Sequence, residues 1–298
     1  MITWGAPIWL YLWLAGMAGG AYFGAFLAER RGAGADRRLL RIATYLGIPL
    51  AISGVALLII DLGQPLRFWH LMVNFNVTSP MSMGTWILLV WVGIAIMLVI
   101  AWRVERHRAE SVSRNLRRLI EVLVWIDFIF AIFLMSYTGV LLAASSQPMW
   151  AGTLLLPSLF VVSAVSTGIA ILAFTVLITR NSWNIPNRMV SRLIEADAVV
   201  IIIELAVLVG YIIWLTNGAM PGTHQAMRLL TTGVLAARFW FGVVLLALLI
   251  PLGLNVAHWG KDIKSKRSIW GSALASSACV ILGAMVLRLV MVVGGQMA

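Results

Sequence analysis

The chain has 298 residues, of which 61% are hydrophobic and 11% are charged, and its mean hydropathy is +0.97. Soluble domains carry about 25% charged residues, so this composition excludes a soluble globular fold. The 22 lysines and arginines outnumber the 11 acids and give a formal net charge of +11, which has to be explained by where the cations lie.

Eight apolar stretches follow one another along the chain, and each is long enough to cross a hydrocarbon layer of roughly 30 Å as a helix. The sequence therefore predicts an all-α polytopic membrane protein, a single integral membrane domain with eight transmembrane helices in two four-helix bundles. The predicted spans are residues 6–28, 42–60, 84–102, 119–143, 152–178, 193–215, 229–253 and 270–293.

The cations are concentrated on one side of this predicted arrangement. The segments that join spans 1 and 2, 3 and 4, 5 and 6, and 7 and 8 hold 18 of the 22 lysines and arginines. Because cytoplasmic loops carry the excess of Lys and Arg, both termini are predicted to face the outer, periplasmic side. This topology accounts for the net charge, so no nucleic-acid partner is expected.

The longest segment on the predicted outer side is residues 61–83, between spans 2 and 3. Its Pro65, Phe68, Trp69 and Phe75 are typical of a short amphipathic piece at the interface, since aromatic rings favour headgroup depth. We expect this outer loop to form a lid over a site below it.

Among the charged residues inside the predicted spans four stand out, since a charge at the bilayer centre costs at least about 2.5 to 3.5 kcal/mol. They are Asp127, Glu204, Arg238 and Arg288. One interpretation is a structural ion pair, in which Asp127 or Glu204 pairs with Arg238. The other interpretation is a proton path, and the sequence leaves both open.

The proton-path hypothesis places acids on spans 4 and 6 as a ladder from the cytoplasmic helix ends toward the middle of the membrane. Its members are Glu121, Asp127, Glu195, Asp197 and Glu204, and Arg238 is placed on the same path. Asp197 precedes Glu204 by seven residues, so both lie on one helix face. Glu121 and Asp197 lie near the interface, where an acid at a helix N-terminus also favours the dipole.

Neither haem nor an iron–sulfur cluster is expected in this chain. Its histidines, at 70, 107, 224 and 258, fall in or beside loops, whereas haem in a membrane bundle needs imidazole ligands from the spans. The one cysteine, Cys279, cannot form a thiolate cluster or a disulfide within the chain. Any redox role therefore depends on a diffusible carrier such as a lipid-soluble quinol.

Two tyrosines lie at a depth that suits a quinone head group. Tyr11 lies five residues from the outer end of span 1 and Tyr137 six residues from the outer end of span 4, about 8 to 9 Å below the surface. The outer loop above them holds four polar residues, Asp61, Gln64, Arg67 and His70. The alternative for either tyrosine is an anchor in the aromatic belt.

Three sequence elements resemble the NrfD/PsrC family, the quinol-interacting membrane subunits of polysulfide-reductase-type complexes. The run from Asp61 to Trp86, DLGQPLRFWHLMVNFNVTSPMSMGTW, is the most specific of them. The first span, YLWLAGMAGGAYFGAFLAE, looks like that family's opening helix with its GxAGG turn, and SYTGVLLA in span 4 resembles its YTG element. The number of spans, the outward termini and the length match as well, so the resemblance covers essentially the whole chain.

The resemblance implies a subunit of the bacterial inner membrane that exchanges electrons between menaquinone or ubiquinone and a ferredoxin-like iron–sulfur subunit on the outer face. That partner would serve a molybdenum or tungsten bis-pterin catalytic subunit. Tyr137 matches the family's quinone-contacting tyrosine, and Tyr11 occupies a position where some relatives have a histidine. Asp61, Gln64 and Arg67 match the loop above the pocket, and the resemblance also implies proton movement through buried acids.

Two other functions compete with this interpretation. A secondary transporter would use the buried charges and helix breaks such as Pro49 and Pro251 to build a midplane site. The half-to-half repeat that such a transporter usually shows is not visible in the sequence. A structural anchor would dock an extrinsic enzyme and bind no quinone, so the outer loop and Tyr137 would then serve only packing and docking.

Overall fold

The computed structural model of the protein describes residues 4–31, 37–61, 65–73, 76, 79–107, 113–145, 147–179, 183, 185–218, 222–257, 259 and 267–298. Within these residues all regular secondary structure is helical. The helices are α1 (Ala6–Arg31), α2 (Arg38–Asp61), α3 (His70–Val73), α4 (Pro80–His107), α5 (Arg114–Ala143), α6 (Leu155–Ile178), α7 (Asn187–Asn217), α8 (Thr223–Thr231), α9 (Arg238–Ala257) and α10 (Arg267–Met297). A short 3₁₀ turn, Pro65–Arg67, lies between α2 and α3.

The eight longest of these helices, all except α3 and α8, are long and apolar enough to cross a membrane. The predicted all-α architecture with eight spans is therefore confirmed for the part of the protein that the structure describes. Most helices extend beyond the predicted spans because their ends continue into charged segments, as at Arg31 and His107. The side of the membrane on which the termini lie stays a prediction.

The seventh spanning helix, α9, differs most from its predicted bounds. It begins at Arg238 rather than at residue 229, and α8 occupies the preceding stretch as a separate helix that ends at Thr231. Thr232 has a non-helical φ of −132°, and Gly233 follows it. Both residue types favour a break over a continued helix, although the run stays apolar overall. The first part of α9 is a wider π-type helix, in which the Ile250 amide donates to the Leu245 carbonyl.

The spanning helices form two groups that meet at α1 and α6. In the first group α1 packs on α2 and α5, and α4 packs on α5. In the second group α6 packs on α7 and α10, and α9 packs on α10. Helices α1 and α6 pack directly on each other, and they are more fully buried than the other spans. Side chains on these two helices are therefore the ones furthest from lipid.

Small residues allow α1 and α6 to approach each other closely. Gly16, Gly20 and Gly24 are spaced four apart on α1, which is the small-xxx-small pattern of packed membrane helices. A methyl group added at Gly20 would overlap the Ala164 carbonyl, and one added at Gly168 would overlap the Gly20 backbone. The helix backbones are thus in contact, and no side chain fits between them at this point.

This contact predicts that Gly168→Ala destabilises the protein. The added methyl group has to push α1 and α6 apart, and overpacking of this kind costs about 1 to 3 kcal/mol. Thermal unfolding of the purified full-length protein in detergent, followed by tryptophan fluorescence, should show a lower melting temperature.

Gly93→Ala in α4 is the matched control, because nothing lies within 4 Å of a methyl group added there. Alanine is better than glycine in a helix by about 1 kcal/mol, so this variant should keep or slightly raise the melting temperature. Equal melting temperatures for the two variants would contradict the close α1–α6 contact.

Candidate functional site

A pair of buried tyrosines joins α1 to α5. Tyr11 of α1 is 1% exposed and Tyr137 of α5 is 7% exposed. Their side chains meet, and the two hydroxyl groups interact with each other. The structure thus brings together two residues that are 126 positions apart in sequence and that the sequence placed at the same depth. An isolated aromatic-belt anchor has its hydroxyl group in the headgroup region, whereas these two hydroxyls face each other inside the bundle.

Each tyrosine ring lies against a glycine of a neighbouring helix. A methyl group added at Gly54 of α2 would come within 3.0 Å of the Tyr11 ring. One added at Gly84 of α4 would overlap the Tyr137 ring and its hydroxyl. Four helices, α1, α2, α4 and α5, therefore shape the pair. Neither glycine could be predicted from the sequence, because a glycine in an apolar run has no feature that reveals which ring it faces.

The pair lies near one end of the first helix group. Tyr11 is five residues after the start of α1 and Tyr137 is six residues before the end of α5, which corresponds to about 8 to 9 Å along each helix. Asp61 ends α2, seven residues beyond Gly54, and its carboxylate lies next to Gly5 at the start of α1. The carboxylate is thus about 10 Å farther out than the Tyr11 ring.

The polar residues of the predicted lid are at the surface. Asp61, Arg67 and His70 are all exposed. The His70 ring stacks on Trp69 with 3.8 Å between ring centroids, and its Nδ1 lies 3.0 Å from the Arg67 carbonyl oxygen. Gln64 lies outside the described residues. The structure therefore separates a buried phenol pair from an exposed polar segment at the same end of the bundle.

In the second helix group a buried carboxylate is held entirely by neutral polar groups. Asp197 of α7 accepts a hydrogen bond from the Ser166 hydroxyl at 2.9 Å and another from the Asn255 amide at 3.0 Å. The Ser276 hydroxyl donates to the Asn255 side-chain oxygen at 2.7 Å. This series of bonds ties α6, α7, α9 and α10 together in a region where no lipid or water replaces a missing partner.

Two helical turns further along α7, Glu204 faces the buried cation Arg288 of α10 through a single hydroxyl. Arg288 is 1% exposed, and its guanidinium donates to Ser163 Oγ and to the Phe160 carbonyl, the latter at 3.4 Å. The Ser163 hydroxyl interacts in turn with the Glu204 carboxylate, and the two charges attract each other. Ser163 thus accepts from the cation and donates to the anion. Arg288 also lies over the Phe160 ring at 5.2 Å, which adds a cation–π contact.

The acids of α5 have two different surroundings. Glu121 lies near the surface in ion pairs with Arg30 and with Arg37, the latter at 2.8 Å. Asp127 is fully buried, and within the described residues neither of its carboxylate oxygens has a geometrically good hydrogen bond. The Tyr22 hydroxyl is close to it but donates to the Val124 carbonyl at 3.3 Å. Asp127 is thus buried without a charged partner among these residues.

Arg238 lies apart from these acids. Its side chain is exposed at the start of α9, whereas Asp127 is buried between α1 and α5, and the cation that faces Glu204 is Arg288. The interpretation that Asp127 or Glu204 pairs with Arg238 is therefore wrong. Both arginines lie in apolar runs, and only the rotation of each helix decides which one points inward. The hydroxyl and amide partners Ser163, Ser166, Asn255 and Ser276 were also missed. The sequence feature that marks these four residues is a polar side chain inside an apolar span, where burial without a hydrogen bond costs free energy.

Among the described residues no three His, Cys, Asp or Glu side chains lie close enough together to hold a metal ion. The buried polar groups described above are therefore phenols, hydroxyls, carboxylates, the Asn255 amide and the Arg288 guanidinium. Such groups donate and accept hydrogen bonds and exchange protons.

A model of the family described as "Polysulphide reductase, NrfD" matches residues 1–298. The C subunit of polysulfide reductase from Wolinella succinogenes is 30% identical over 309 aligned residues, which cover 99% of this chain and 95% of that protein. Protein NrfD of Escherichia coli is 26% identical over 313 aligned residues, covering 99% of this chain and 96% of that protein. A protein NrfD homolog of Haemophilus influenzae is 26% identical over 277 aligned residues, covering 86% and 84%.

The buried arrangement around Arg288 predicts a non-additive effect on stability. Arg288→Met leaves Glu204 without its cation, and removing one partner of a buried pair costs about 3 to 5 kcal/mol. The melting temperature of the purified full-length protein in detergent should fall clearly. The double variant Glu204→Gln, Arg288→Met removes both charges, and it should recover most of the loss. A double variant as unstable as the sum of both single variants would contradict the pairing.

Proposed function

Because the chain belongs to the NrfD family of polysulphide-reductase membrane subunits, we propose that it holds a quinone at the Tyr11–Tyr137 pair and exchanges electrons with an iron–sulfur subunit docked outside. It is a multi-pass protein of the bacterial inner membrane. One of its relatives is the C subunit of polysulfide reductase, that is, one polypeptide of an oxidoreductase. Members of this family are in general quinone-interacting membrane subunits.

The single observation that supports the proposal most is the buried phenol pair. Two hydroxyls that face each other use at most one of their protons within the pair, so at least one proton is left for an outside acceptor. A quinone carbonyl is such an acceptor, and the phenol oxygens can accept from a quinol hydroxyl. Menaquinone or ubiquinone, when bound, supplies the two-electron chemistry, and the protein supplies binding and orientation.

The surroundings of the pair fit a head group that enters from the membrane. The Tyr11 and Tyr137 rings lie among apolar helices, and 7% of the Tyr137 residue surface is still accessible at the edge of the pair. Asp61, Arg67 and His70 are exposed at the same helix ends, where a carboxylate and an imidazole can pass a quinol proton to water. The pair thus positions the ring, and the outer residues accept its protons.

Exposed apolar side chains at this end of the molecule support docking of a partner. Leu66 is 90% exposed and Val73 is 68% exposed on the segment between α2 and α4, and Trp69 lies between them. These residues lie in the connecting segment outside the helices that are long enough to span the membrane. Exposed apolar residues of this kind mark contacts with a protein or with the membrane surface, and we propose a protein here. The proposed occupant is a ferredoxin-like iron–sulfur subunit, which passes electrons to or from a molybdenum or tungsten bis-pterin catalytic subunit.

The buried acids form the proposed proton path. Asp197 and Glu204 lie on one face of α7 and influence each other electrostatically, and Asp127 provides a second buried carboxyl on α5. Glu121, which forms ion pairs at the opposite end of α5 from Tyr137, is the proposed entry for protons. Arg238 is also proposed for the path, although its side chain is exposed and the acids on α5 and α7 named above are buried. Acids inside membrane spans destabilise the fold, and they mark ion and proton pathways.

The phenol pair predicts that Tyr137→Phe lowers quinol-dependent electron transfer in the purified complex. Loss of one hydrogen bond to the head group corresponds to about a tenfold lower kcat/KM. The measurement is the rate of partner reduction with a water-soluble quinol analogue. Tyr211→Phe is the control, since Tyr211 is also buried but its hydroxyl donates to the Met149 carbonyl at 2.7 Å. Unchanged quinol kinetics in Tyr137→Phe would remove the pair from the quinone site.

The proton path predicts that Asp127→Asn and Glu204→Gln slow proton uptake during turnover of the complex in liposomes, because an amide cannot exchange a proton as a carboxyl does. An entrapped pH-sensitive dye measures the uptake. Glu105→Gln is the matched control, because Glu105 lies at the end of α4 in a partly exposed ion pair with Arg41. Full proton uptake in both buried variants would contradict the path and leave them as structural charges.

A further inference from the structure

A cavity of about 820 Å³ lies at the end of the bundle opposite the tyrosine pair. Its wall is formed by the end of α1, the start of α2, the start of α7 and the adjoining part of α6. Apolar side chains line its inner part: Phe23, Leu27, Val165, Ile169, Val199 and Val200. By the charge distribution this end is the predicted cytoplasmic side.

The rim of this cavity is strongly cationic. Its five arginines are Arg31, Arg37, Arg38, Arg188 and Arg192, whereas its acids are Glu29 and Glu195. The cavity therefore has a net charge of about +3 when all these groups are ionised. A cavity with an apolar interior and a cationic rim matches a ligand that has an anionic head and an apolar tail.

Three of the rim arginines have no ion pair within the part of the protein that the structure describes, and these are Arg31, Arg188 and Arg192. The other two are engaged, since Arg37 pairs with Glu121 at 2.8 Å and Arg38 donates to the Trp183 carbonyl at 3.3 Å.

The acid Glu29 is also engaged, because it accepts the Leu40 backbone amide at 3.0 Å. Three guanidinium groups thus remain for an anion. Both Arg188 and Arg192 lie in the first turns of α7, where the helix N-terminus also favours negative charge.

We propose that this cavity binds an anionic phospholipid of the cytoplasmic leaflet. The headgroup phosphate lies among Arg31, Arg188 and Arg192, which present bidentate donors to phosphate oxygens. The acyl tails run along the apolar wall and leave past Val199, which is exposed. Basic pockets between membrane helices at the cytoplasmic side are suited to such lipids.

The size and position of the cavity favour a lipid over the other anions and over a second quinone. Ligand pockets have volumes of about 300 to 1,000 Å³, so this one holds a headgroup and the upper part of the acyl tails. A free phosphate leaves the apolar wall uncovered, and a neutral quinone leaves the three rim cations without a counter-charge. A phospholipid covers the apolar wall with its acyl tails and supplies a counter-charge to the rim cations, and it is present at high concentration at this depth.

The test is native mass spectrometry of the full-length protein released from nanodiscs that contain equal amounts of dioleoylphosphatidylglycerol and dioleoylphosphatidylethanolamine. The wild-type protein should retain phosphatidylglycerol in several-fold excess. The variant Arg188→Gln, Arg192→Gln should bind it about thirtyfold more weakly, as expected for the loss of two cations at an anionic headgroup. Both residues are exposed, so the variant should fold.

The matched control is Arg117→Gln, Arg118→Gln, which removes the same charge from two exposed arginines of α5 outside the cavity wall. It should retain phosphatidylglycerol as the wild type does. Equal loss in both double variants would overturn the proposal, because binding would then follow net charge alone. Displacement of the lipid by millimolar inorganic phosphate would also overturn it and identify a site for a soluble anion. Retention of phosphatidylethanolamine in equal amount would overturn the anionic selectivity.

Discussion

The backbone contact between α1 and α6 is the constraint on which the rest of the molecule depends. It brings Gly20 and Gly168 together and leaves no room for side chains between the helices. Each helix then presents its other faces to different neighbours. Helix α1 carries Tyr11 before the contact and Phe23 after it, and α6 carries Ser163 beside it. The phenol pair, the buried charges and the cationic cavity are therefore all positioned by one helix crossing.

The three buried acids Asp127, Asp197 and Glu204 differ in the partners that surround their carboxyl groups. A carboxyl group in hydrocarbon needs an internal partner, because lipid supplies none. Glu204 has a cation bridged by Ser163, and Asp197 has two neutral donors, whereas Asp127 has no cation among the described residues and only the Tyr22 hydroxyl beside it. The first two arrangements also hold helices together, so structure alone can account for them. Asp127 makes no hydrogen bond of good geometry to another helix among the described residues, so the proposed proton exchange is the role that distinguishes it from the other two.

Sequence patterns predicted the parts of the structure that depend on one helix at a time. Hydropathy gave the eight spans, and the rise per residue gave the common depth of Tyr11 and Tyr137. The side-chain contacts that depend on the rotation of each helix about its axis could not be predicted from the sequence. Gly84 has no property in sequence that places it under the Tyr137 ring, and Arg238 was wrongly predicted as the inward cation in place of Arg288. The break before α9 was hidden because threonine and glycine do not lower the hydropathy of the run enough.

The length of α1 limits how the two ends of the bundle can communicate. Tyr11 and Glu29, which lines the cavity, are 18 residues apart on one continuous helix, which corresponds to about 27 Å. This distance is close to the full hydrocarbon thickness of roughly 30 Å, so the two ends lie at opposite membrane surfaces. No proton passes directly between them, because a hydrogen bond spans only about 3 Å. Any coupling of quinol oxidation to the far side therefore has to run through groups at intermediate depth. Asp127 is ten residues before Tyr137 on α5, about 15 Å along the helix, and it is at the right depth for such a step.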